Sequence, residues 1–126
     1  MKRLIVNIIL LIVAIFLLST IGVFGAIFGI IWSAKNFNKV SFIKYWTDTI
    51  YSINIGIDRI GNVVLGPCLN SWVLIDKTGY SFGSVNDTIS RVLAVNYFMN
   101  NITTFGKILV WILEKIDKNH MNKSLR

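Results

Sequence analysis

Cysteine, proline, histidine and acidic residues are all scarce in this chain of 126 residues. The single cysteine, Cys68, excludes an intrachain disulfide. With one histidine, His120, no Cys/His cluster of the zinc-binding kind can form. Six Asp and Glu stand against thirteen Lys and Arg, a net charge of +7, and that balance favours anionic lipid or nucleic acid as a neighbour. No interleaving of aromatic and basic residues of the kind that stacks bases is present. Nucleic acid is therefore reduced to unspecific, salt-sensitive contact by the basic tail Lys115 to Arg126.

What the chain has in abundance is apolar side chains, 54% of the total, more than an ordinary soluble domain of this length carries. One block supplies most of them. Residues 4–32 read LIVNIILLIVAIFLLSTIGVFGAIFGIIW, with Asn7 the one strongly polar side chain. Crossing a hydrocarbon core takes roughly 20 residues. The run is too long for a signal-peptide core and lacks a small-residue cleavage site, so residues 1–34 are expected to form an uncleaved transmembrane signal anchor. Lys2 and Arg3 balance Lys35, Lys39 and Lys44 across it, so the charge rule barely decides the orientation. The expected setting is single-pass in a bacterial inner membrane, with a lean towards a cytoplasmic C-terminal part. Gly25 and Gly29 form a G-x-x-x-G step, and Gly22 and Ala26 a second small pair. Such pairs let two membrane helices approach closely, in a homo-oligomer for example.

Residues 35–126 are expected to form a small amphipathic helical domain of about three helices with a basic tail. The fold class is thus mainly α, with room for one short β-hairpin. From Phe42 the apolar positions Trp46, Ile50, Ile53, Ile57, Ile60 and Val64 follow steps of three and four. They predict one helix face packed on a core or laid on a bilayer. Gly66-Pro67 predicts the end of that helix. Asp58 and Asn62, one turn apart, lie away from the apolar seam. Residues 72–82 contain good turn chemistry at Asp76-Lys77-Thr78-Gly79, and a left-handed Gly79 would close a hairpin. In FGSVNDTISRVL, Ser84 and Asp87 fit a capping box at a helix start. Thr88, Ser90 and Arg91 are not explained by that cap and are expected to face the Asp58/Asn62 helix. A last helix, Thr104 to Lys118, carries the stripe Phe105, Ile108, Leu109, Ile112, Leu113 and Ile116.

The order IDRIGNVVLGPCLN, FGSVNDTISRVL, ILEKIDKNHMNKS resembles small membrane proteins of tailed phages and prophages, which carry a D-x-x-x-N-x-x-x-G helix, a DETIS helix start and a closing D-x-x-H-C. The matching positions are Asp58, Asn62, Gly66, Phe82, Gly83, Thr88, Ile89, Ser90, Asp117 and His120. Asn86-Asp87 replaces Asp-Glu, and Met121 stands where the Cys would follow. The resemblance implies a phage setting rather than an activity. The leading expectation is a non-enzymatic membrane protein without cofactor, acting on an unidentified host or phage protein in lysis control, exclusion or envelope interaction. The alternative is a metal- or ligand-binding site built from Asp58, Asn62, Asp87, Asp117 and His120, with the histidine as general base. Between these stands a polar cluster of Asp58, Asn62, Asp87, Thr88, Ser90, Arg91, Asp117 and His120 that registers the helices or recognises a partner.

Overall fold

The computed structural model describes residues 2–126; Met1, the first residue of the expected anchor, lies outside them. The chain is mainly α, with helices α1 (Lys2–Leu17), α2 (Val23–Asn36), α3 (Lys39–Trp72), α4 (Ile89–Phe98), α5 (Thr104–Ile116) and α6 (His120–Ser124). Among the described residues there is no β-strand. The two compact units are Met1–Asp48 and Thr49–Arg126, so their boundary falls inside α3.

In the first unit α1 and α2 are joined by a π-helical turn, Leu18–Gly22. Its cause is local: the Ser19 and Thr20 hydroxyls both donate to the Phe16 carbonyl, at 3.0 and 2.7 Å. Hydroxyls that back-bond in this way compete with the helix ladder and loosen it. The result is one continuous helical stretch, Arg3–Asn36, of 34 residues, long and apolar enough to cross a membrane. At 1.5 Å per residue it measures about 50 Å, against a hydrocarbon core of about 30 Å. Phe37 is extended and ends it. The Asn38 side chain then accepts from the Ser41 N–H at 2.9 Å and starts α3. Trp46 turns back onto α2, its indole N–H donating to the buried Ser33 hydroxyl at 3.0 Å.

The second unit is built around α4. Val92, Leu93 and Ala94 of that helix are buried with Val73, Leu74 and Phe82 before it and Ile102, Val110 and Met121 after it. Thr103 caps α5, accepting from the Gly106 N–H at 3.2 Å, and its hydroxyl donates to the Trp72 carbonyl at 2.6 Å. Glu114 receives the N–H groups of Asn119 and Met121, each at 2.9 Å, and so seats α6 against the rest. What was expected as a basic tail therefore ends in a short helix whose Met121 plugs the core.

Three expectations about local structure give way to packing. Residues 72–82 form no hairpin. Leu74 pairs with Ile102 in an isolated antiparallel bridge, and Asp76 closes its own turn by accepting from the Thr78 N–H at 2.9 Å. The glycine with positive φ is Gly83, at 118°, not Gly79. The helix does not stop at Gly66-Pro67: α3 continues to Trp72 with Pro67 inside it. A missing N–H costs one ladder bond, while Leu69 and Asn70 of the continuation, and Val73 directly after it, contact the core or its loop. Lastly, of the two placements expected for the apolar seam of α3, on a core or on a bilayer, the first gives way: the seam does not face the core. Ile50, Ile53, Ile57, Ile60 and Val64 are 53–69% exposed, whereas Asn62 and Gly66 are buried. On α5 Phe105, Ile108, Ile112 and Ile116 are likewise exposed, and Gly106 and Val110 turn inward.

Candidate functional site

The inward face of α3 is a polar ladder. Asp58, Asn62, Gly66 and Asn70 follow at four-residue steps, which keeps them on one side of the helix, and all four meet the segment 82–90. Asn70 brackets Phe82, accepting its N–H at 2.7 Å and donating to its carbonyl at 3.0 Å. Gly66 lets the loop in. A β-carbon there would lie 2.9 Å from the Gly83 Cα, and backbone cannot step aside. Asn62, fully buried, accepts from the Gly83 N–H at 3.1 Å and donates to the Ser84 and Asp87 carbonyls at 2.9 and 3.0 Å. Asp58 accepts from the Ile89 N–H at 2.9 Å and from the Ser90 hydroxyl at 2.8 Å.

These contacts revise the helix start. The cap of α4 is Thr88, whose hydroxyl accepts from the Arg91 N–H at 3.1 Å. Ser84 instead turns the preceding loop, accepting from the Asn86 N–H at 3.2 Å. Asp87 does not answer Ser84. Its carboxylate takes the Tyr80 hydroxyl at 2.9 Å and lies 3.4 Å from the Arg91 guanidinium. Desolvation, and then the hydrogen bond to Asp87, raise the Tyr80 phenol above its ordinary pKa. Capping at Ser84 loses because Asp58 and Asn62 already bind the backbone between residues 83 and 89, fixing it in a non-helical path.

Outside this ladder lies an open cleft of about 610 Å³. Asp58, Thr88, Ser90, Arg91, Asp117 and His120 line it, while Asn62 and Asp87 do not. Arg59, Lys123 and Arg126 bring further positive charge, and Tyr51, Asn54 and Asn86 supply neutral donors. Asp117 is already engaged: Lys123 hydrogen-bonds one oxygen, and His120 Nδ1 lies 3.2 Å from the other. The Lys123 bond first, then the His120 bond, hold this carboxyl below its usual pKa. His120 Nε2 is buried without a hydrogen-bond partner.

The alternative metal site does not assemble. Among the described residues no three His, Cys, Asp or Glu side chains gather closely enough to hold an ion. The reason is visible residue by residue, since Asp58 is spent on Ile89 and Ser90, Asp87 on Tyr80 and Arg91, and Asp117 on Lys123 and His120. Of the small residues in the apolar helix, Gly29 faces the Trp46 ring at 3.8 Å, and Gly22 faces Leu18 of its own turn at 3.2 Å. Gly25 has nothing within 4 Å and Ala26 is exposed. Asn70 and Arg59 carry no motif in the sequence, and Arg126 enters there only as the end of the basic tail. Asn70 could have been singled out, because it extends the four-residue spacing of Asp58 and Asn62.

No family model matches the chain, and neither a curated protein nor a solved structure matches it.

Proposed function

We propose that the chain is a single-span membrane protein that acts without catalysis through its Thr49–Arg126 unit. One observation carries this reading: the polar face of α3 is packed inside that unit while its apolar face is left outside, with Ile57, Ile60 and Val64 each more than 60% exposed. Contiguous apolar surface of this kind marks a membrane or partner contact rather than a free aqueous surface. The Arg3–Asn36 helix supports the anchor, and Trp32, Phe37 and Tyr45, in edge contacts with ring centroids 5.3 and 5.6 Å apart, suit the headgroup level. The setting is a bacterial inner membrane; the flanking charges are nearly balanced, and the cytoplasmic side for the C-terminal unit rests on Lys35, Lys39 and Lys44 alone. The resemblance to phage and prophage membrane proteins supplies the setting, in which lysis control, exclusion of other phages, or action on a host envelope protein are the roles such a device can play.

The test is extraction of cell membranes at alkaline pH, followed by labelling of Cys68, the exposed and only thiol, with an impermeant maleimide. The expected result is a chain that stays in the extracted membrane and is labelled only after permeabilisation. Release at alkaline pH would overturn the anchor. Labelling in intact spheroplasts would overturn the cytoplasmic side and move the unit to the periplasm.

A further inference from the structure

The basic cleft is not an isolated hollow. A second, apolar groove of about 560 Å³ shares Asn54, Asp58, Ser90 and Leu113 with it, so the two adjoin along those side chains. The groove is walled by Ile57, Gly61 and Leu65 of α3, by Leu93 of α4, and by Leu109 and Ile112 of α5. Gly61 matters for its depth. A β-carbon there would come within 3.1 Å of the Ile89 side chain, so the absence of one keeps this wall low. At the cleft end, Arg59, Arg91, Lys123 and Arg126 outnumber the two carboxylates, Asp58 and Asp117. Both carboxylates are already hydrogen-bonded within the protein, while Arg59 and Arg126 make no ion pair among the described residues.

A charged hollow and an apolar one side by side fit a molecule with the same division. We infer that this pair of hollows binds a single anionic amphiphile, a phosphate-bearing lipid whose headgroup lies in the basic cleft and whose acyl chain lies in the apolar groove. The guanidinium groups of Arg59 and Arg126 provide planar, two-pronged donors for phosphate oxygens. Ser90, held by Asp58, and Thr88 stand beside them as neutral groups. The acyl chain covers part of the apolar surface that α3 and α5 otherwise present to water, which gives the groove one definite occupant. The source of the lipid rests on the reading of the chain as a membrane protein; the chemistry of the two hollows does not.

The experiment uses the full chain in a non-ionic detergent, titrated with dihexanoyl phosphatidic acid, dihexanoyl phosphatidylcholine and inorganic phosphate, with retained ligand counted by native mass spectrometry. Phosphatidic acid is expected to bind saturably at one copy and more tightly than either comparison ligand. Arg59→Gln combined with Arg126→Gln is expected to weaken it by about tenfold or more. Ile57→Gln combined with Ile112→Gln, at two solvent-exposed positions, is expected to weaken it comparably while the thermal midpoint stays near that of the unchanged chain. Equal binding of the zwitterionic lipid, or indifference to the arginine pair, overturns the headgroup assignment. Inorganic phosphate binding as tightly as the lipid, or indifference to the groove pair, overturns the acyl assignment. None of these outcomes depends on membrane extraction, so failure here and failure of the anchor are distinguishable.

Discussion

Asp58 caps a helix to which it does not belong: from the middle of α3 its carboxylate accepts the N–H of Ile89, the first residue of α4, 31 residues further along the chain. The first turn of a helix presents N–H groups without intrahelical partners and a positive dipole end. A carboxylate on a neighbouring helix satisfies both, and here it ties two elements into register as well. Asp58→Ala is expected to lower stability by about 1–3 kcal/mol, the cost of orphaning such a donor. Asp58→Asn is expected to cost less, because the amide oxygen still accepts from Ile89. Thermal midpoints of the detergent-solubilised chain decide it, and equal midpoints for all three proteins would mean that the cap is not structural.

Asn62 makes three hydrogen bonds from a fully buried position, one accepted and two donated. An aspartate cannot donate and a leucine can do neither, so both leave loop backbone groups unsatisfied away from water. Asn62→Asp and Asn62→Leu should each destabilise by about 2–4 kcal/mol. Urea unfolding of the detergent-solubilised chain would measure this, and a loss below about 1 kcal/mol for the leucine variant would show that water replaces the amide.

Gly66 and Gly56 lie on the same helix and make opposite cases. At Gly66 a methyl group meets the Gly83 backbone at 2.9 Å; at Gly56 it meets nothing within 4 Å. Gly56→Ala should therefore stabilise by about 0.5–1 kcal/mol through helix propensity alone. Gly66→Ala should destabilise despite the same gain, because the 82–84 loop must move and take the Asn62 bonds with it. If both substitutions shift the midpoint upward, the close approach of loop and helix is absent in solution.

Much of the helical content was legible, and the reason is periodicity: α3, α4 and α5 each repeat apolar residues at helical spacing. Which side of α3 faces inward was not legible. Counting apolar residues selects Ile50, Ile53, Ile57, Ile60 and Val64, yet the buried side is Asn62 and Gly66. That side wins because the 82–89 segment brings backbone N–H and C=O groups to it that only amides and a carboxylate can satisfy. The same non-local contact explains the helix start. Both Ser84 and Thr88 are chemically competent caps, and the choice between them is made by Asp58 from another helix. Pro67 gives a third case, since a local rule for ending helices cannot register what Leu69 and Asn70 gain by continuing. Of the candidate site, Asp58, Thr88, Ser90, Arg91, Asp117 and His120 lie along one cleft, whereas Arg59 and Arg126 carried no sequence signal beyond charge.

Asp117 offers a test of the α5–α6 junction by pH. Its carboxyl is hydrogen-bonded by Lys123 and by His120, in that order of importance, and both lower its pKa in the folded state. A group with a depressed folded pKa contributes stability above its unfolded pKa, near 3.8, and loses that contribution as the pH falls through the folded value. Asp117→Asn is thus expected to be less stable than the natural chain at pH 7 and pH 5, with the gap closing below about pH 4. The carboxyl is half-exposed, so salt should shrink the gap at neutral pH. Asp76 is also depressed, through Thr78, and remains in the variant, so the acid limb should become shallower rather than disappear. Urea midpoints at pH 7, 5 and 3 would show this, and a gap that stays constant down to pH 3 would mean that the Lys123 and His120 contacts do not hold α6 in place.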